Sequence, residues 1–201
     1  MRDHVSGATA PPGRGRSRAQ MRGRAAGIVI LGYFALAWAG WGTSTGVPAA
    51  VRAAVLTAAG LAFLVLAVGA VVLYQRAAAL PATQDPSRGR SIGRRFGIIV
   101  AVEFIGLIII ARILAVSGHD QLIAAAICLG VGIHFFPLRR LFDVPIYDLT
   151  DAVLCGLALL TAVIAPLAGW PALWTMLPGF GAAVVLYATS AVLLRTHLLR
   201  T

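Results

Sequence analysis

Lysine and asparagine are absent from this chain, glutamate occurs once, and only 12% of the residues are charged. A water-soluble domain carries roughly 25% charged residues, so about half the usual polar covering is missing. That excludes an ordinary soluble fold and makes lipid the solvent for most of the surface. Lys and Asn both have AT-rich codons, and their absence reads as the codon bias of a GC-rich bacterial genome. The two cysteines, Cys128 and Cys155, lie in apolar stretches without metal-ligand spacing, as small buried hydrophobes do. No HExxH, GxSxG, Walker or dinucleotide pattern occurs. No catalytic residue, metal or cofactor is therefore expected, and the balance falls against an enzyme.

What is present is 59% hydrophobic residue, gathered in six runs over 26–41, 53–74, 96–116, 122–136, 152–167 and 173–194. The first, fourth and fifth runs would make only about 24 Å of helix, so their flanks must extend them across the hydrocarbon. Arginine sets the orientation. Fifteen of the seventeen lie in the first tail, the second-to-third and fourth-to-fifth connections and the C-terminus, leaving Arg52 and Arg112 for the other side. Such alternation predicts an all-α bundle of six transmembrane helices with both termini cytoplasmic, in a bacterial cytoplasmic membrane. Trp38, Trp41, Trp170 and Trp174 fall at the expected outer ends, where indole favours the interface.

The expected organisation is a disordered basic tail over 1–25, then a six-helix domain over 26–200 with a cytoplasmic loop near 76–95. The basic tail and first run also have the form of a signal peptide, but five later runs favour an uncleaved anchor. A net charge of +10 in a soluble protein would suggest nucleic acid. Beside membrane spans it is better read as topology and attraction to anionic headgroups, with no nucleic-acid partner. A homo-oligomer or a membrane-protein partner fits a chain with no large domain outside the bilayer.

Glu103 lies within the third run, about 10 Å along a helix from Phe96. A carboxylate there costs several kcal/mol unless protonated, paired or hydrated, which makes it the first candidate for a proton or substrate site. Its structural alternative is a protonated acid bonded to a neighbouring helix. Arg112, nine residues later, faces the opposite way, too far to pair with Glu103; it is a further substrate-binding candidate, though its place near the outer end favours snorkelling to headgroups. Asp120 is available as its partner or as an N-cap for the fourth span. His134 lies toward the same side as Glu103, either as a relay partner or as a donor to a carbonyl released by Pro137, which should kink or end the fourth helix.

Arg139 and Arg140 are candidates for gripping lipid headgroups, with Asp143 within reach of a local ion pair. Asp148 is expected to cap the fifth helix and Asp151 to lie in its first turn. The run His134-Phe135-Phe136-Pro137-Leu138, followed by a polar turn and another span, resembles a pattern in small uncharacterised bacterial multi-pass membrane proteins. The resemblance covers the fourth and fifth spans and implies no activity. Three functions fit: a structural or accessory membrane subunit, a small proton- or ion-coupled carrier using Glu103, and, more remotely, a lipid-modifying enzyme.

Overall fold

A long apolar run in lipid cannot leave its peptide groups unpaired, and the helix pairs them within one segment. The computed structural model forms six helices: α1 (Arg18–Gly42), α2 (Ala49–Arg76), α3 (Pro86–Val116), α4 (Ile123–Phe142), α5 (Ile146–Ala168) and α6 (Leu173–Leu198). It describes residues 18–80 and 86–198, among which no strand occurs. All six helices are long and apolar enough to cross a membrane, as the sequence predicts.

Two helices begin earlier than the apolar pattern suggests. Residues 1–17 of the expected tail and 81–85 of the expected loop lie outside the described residues. From Arg18 and from Pro86 the chain is already helical. The polar flanks contain no strong breaker after those points; arginine is a good helix former and proline suits a first helical position. Arg18 is also anchored, donating from Nε to the Leu80 carbonyl (3.2 Å) and from Nη2 to those of Ala78 (3.0 Å) and Leu80 (3.1 Å). Those carbonyls lie at the end of α2 and its 3-10 extension, where no helical donor follows. One turn on, the Arg22 guanidinium sits 4.7 Å from the centre of the Tyr74 ring.

Pro137 neither ends α4 nor stops it at His134. The helix runs on to Phe142 and stops at Asp143, whose φ of 52° is left-handed. One missing amide bond is tolerable in a helix supported by neighbours, whereas aspartate adopts the left-handed conformation more readily than most residues.

Laid out by packing, the helices run in the order α2, α1, α6, α5, α4, α3. The first and last helices lie antiparallel: Gly42 at the end of α1 meets Gly179 at the start of α6, where a side chain on Gly179 would overlap the Gly42 backbone. The best-buried large side chains, Ile28, Leu73, Leu154 and Leu186, come from α1, α2, α5 and α6. Hydrogen bonds tie the same layer. Thr150 and Thr189 meet at 2.8 Å between α5 and α6, and the Tyr187 hydroxyl donates to the Ala59 carbonyl on α2 at 2.7 Å.

The third helix stands apart. Among the described residues it packs on α4 and has no other substantial helix neighbour. No residue between positions 90 and 116 is fully buried, and Ile98, Val102, Ile105, Ile108 and Ile113 each leave more than half their surface uncovered.

Candidate functional site

The α3–α4 interface is a short ladder of paired side chains. At the arginine-rich end, Phe96 meets Phe142 edge to face, with ring centres 5.7 Å apart. From that contact Glu103 lies seven residues along α3 and His134 eight residues back along α4. At 1.5 Å per residue both stand about 10–12 Å from the phenylalanine pair, at one depth. A turn further on, Leu107 lies over Gly130, where any Cβ would overlap its methyl.

At that shared depth, Nδ1 of His134 approaches Oε2 of Glu103 to 2.8 Å. The side chains are 11% and 14% exposed, so solvent screens the contact little. The approach is oblique to the ring N–H and does not satisfy hydrogen-bond geometry at Nδ1. A neutral hydrogen bond depends on alignment, whereas attraction between charges depends mainly on distance. The contact is an ion pair only while the imidazole carries its second proton. Chemically the site brings a carboxyl and an imidazole, two groups able to exchange protons, into direct contact between α3 and α4.

The other candidates separate from this pair. Arg112 is exposed on α3 toward the tryptophan-rich end, with no partner among the described residues. Asp120 is also exposed and neither pairs with Arg112 nor caps α4; it starts a 3-10 turn, and α4 follows at Ile123 without a side-chain cap. Asp148 does not cap α5 either, because Pro145 holds the cap position. Asp148 lies instead in the first turn and takes a 3.0 Å contact from Nε of Arg139. Asp143 stands 3.8 Å from the same guanidinium. A charged partner across the turn outcompetes the neutral amide for the carboxylate.

Asp151 is one turn deeper than expected and accepts from Sγ of Cys155 at 3.3 Å. Cys128 and Cys155 are both free thiols at the α4–α5 contact. Among the described residues no group of three His, Cys, Asp or Glu side chains could hold a metal ion. Arg140 takes no acid; its guanidinium carbon lies 4.6 Å from the centre of the Phe136 ring. What the sequence pattern missed is the pairing ladder itself; the advance signal was that Glu103 and His134 lie toward the same side, and their equal depth appears only because α4 runs on to Phe142.

No protein-family model, curated protein or solved structure matches this chain, so the site is read from its own geometry.

Proposed function

We propose that this is a multi-pass protein of a bacterial cytoplasmic membrane, with both termini cytoplasmic, in which proton binding at Glu103 and His134 drives movement of α3 as the coupling step of a small carrier. The observation that carries the proposal is the 2.8 Å contact between two ionisable groups inside the span region. Its placement supports coupling rather than mere anchoring: among the described residues α4 is the one substantial neighbour of α3, and the pair lies in that interface. A change of proton occupancy turns attraction there into a bare charge, which intramembrane surroundings penalise by several kcal/mol. The other charges on these helices are Arg88, Arg90, Arg94, Arg95 and Arg112 on α3 and Arg139 and Arg140 on α4; the nearest along its helix, Arg139, is five residues from His134, about one and a half turns.

The test uses spin labels on Cys at Ile109 of α3 and Leu159 of α5, both exposed, with Cys128 and Cys155 replaced by Ala. The distance distribution should shift between pH 5 and pH 9, and the shift should disappear in Glu103→Gln. One unchanged distribution across that range in the parent protein would sink the coupling idea.

A second reading, an accessory subunit, draws on the uncovered isoleucine flank of α3, which a membrane-protein partner would cover. Mild-detergent extraction followed by native mass spectrometry separates the two, since the carrier needs no foreign chain.

A further inference from the structure

At the arginine-rich end the space between α3 and α4 opens into a groove of about 640 Å³. Ligand sites typically measure roughly 300–1,000 Å³, so the groove is large enough for a headgroup and its backbone. Arg95 stands on the α3 wall and Arg140 on the α4 wall, with Ile98, Ile99 and Phe136 below them toward the bilayer. Neither arginine has an acid partner among the described residues. Arg139, one residue away, is committed to Asp148 and Asp143. The Phe136 ring holds the Arg140 guanidinium over the groove wall.

We propose that this groove binds one anionic phospholipid, its phosphate between Arg95 and Arg140 and an acyl chain along the isoleucine flank of α3. Two features select a lipid. The paired guanidinium groups supply positive charge with fork geometry suited to phosphate oxygens. The apolar wall continues from Ile98 to Val102 and Ile105, all more than half exposed, giving an acyl chain a surface that inorganic phosphate cannot use. Arg90 and Arg94 add positive charge on the same turns of α3, and basic side chains beside a span draw anionic lipid. Neither Glu103 nor His134 lines this groove.

Native mass spectrometry of the full protein, exchanged from micelles containing equimolar phosphatidylglycerol and phosphatidylcholine, tests this directly. Wild type should retain one phosphatidylglycerol in preference to phosphatidylcholine. The double variant Arg95→Gln/Arg140→Gln should hold it about tenfold or more weakly, because each surface arginine contributes appreciably to anionic-lipid attraction. Arg112→Gln, at the other end, should match wild type, and Arg140→Lys should recover part of the loss. Circular dichroism in phosphatidylcholine micelles checks that each variant stays helical; should the double variant unfold, the single variants carry the comparison. Equal retention of both lipids, unchanged retention in folded arginine variants, or equal displacement by inorganic phosphate at millimolar concentration would each overturn the proposal.

Discussion

Replacing Glu103 by Gln and His134 by Gln, singly and together, measures what holds α3 on α4. At 2.8 Å and an effective dielectric constant near 20, two unit charges attract by about 6 kcal/mol. Desolvation opposes this, and breaking a buried pair by removing one member typically costs about 3–5 kcal/mol. Neutral side-chain hydrogen bonds between membrane helices average about 0.6 kcal/mol and reach about 1.7. The two accounts are thus separated by more than the error of a double-mutant cycle. For the ionised pair, a coupling of about 2–4 kcal/mol is expected near neutral pH, allowing for relaxation around the lone charge left in each single variant. The assay is reversible unfolding in mixed micelles with rising denaturing detergent, followed by helical circular dichroism. The cycle is repeated between pH 5 and pH 9, the range used to test the proposed movement of α3. A coupling under about 1 kcal/mol across the whole range would refute the ionised pair and leave a neutral contact.

Four further outcomes follow from packing and topology. Gly179→Ala should destabilise the bundle by about 1–3 kcal/mol, because its methyl has only the Gly42 backbone to enter. Gly60→Ala, with open space around it, should be neutral or stabilising by up to about 1 kcal/mol in the same unfolding assay. Thr189→Ala removes the bond to Thr150 and should cost about 0.6–1.7 kcal/mol; no loss would mean that the remaining Thr150 hydroxyl is satisfied by the Ile146 carbonyl on its own helix. A reporter active only in the cytoplasm should be active when fused after Thr201 and silent when inserted at Gly118, as the arginine bias predicts.

The helices were readable because hydrophobicity and arginine placement act span by span, independently of neighbours. Who packs beside whom is not written that way. Nothing in the 96–116 run marks α3 as an edge helix, since its isoleucines suit lipid and a protein partner equally. Glu103 and His134 could both be placed toward the arginine-rich side, which made them candidates for each other; the end of the fourth run at Phe136 hid their equal depth, since α4 runs on to Phe142. Whether their faces meet depends on rotation about two helix axes, which the Phe96–Phe142 and Leu107–Gly130 contacts fix. Local rules misled at Asp148 for a related reason. A cap is a bond to the next few amides, and the Arg139 guanidinium arriving from the preceding helix was a better partner. Arg139 and Arg140 are adjacent in sequence, yet only their directions around α4 send one to aspartates and the other to Phe136.

The single-neighbour position of α3 also constrains how the protein is made. Chains are built from the N-terminus, so α3 leaves the ribosome while α4, its future support, does not yet exist. During that interval Glu103 has no His134 and must enter the bilayer on the credit of its own helix. An acidic residue at mid-span costs roughly 3 kcal/mol at insertion, and seven isoleucines between positions 96 and 116 return roughly 2–4. The isoleucine flank thus serves the newborn segment before it serves the finished bundle, and thinning it would show first as failed insertion.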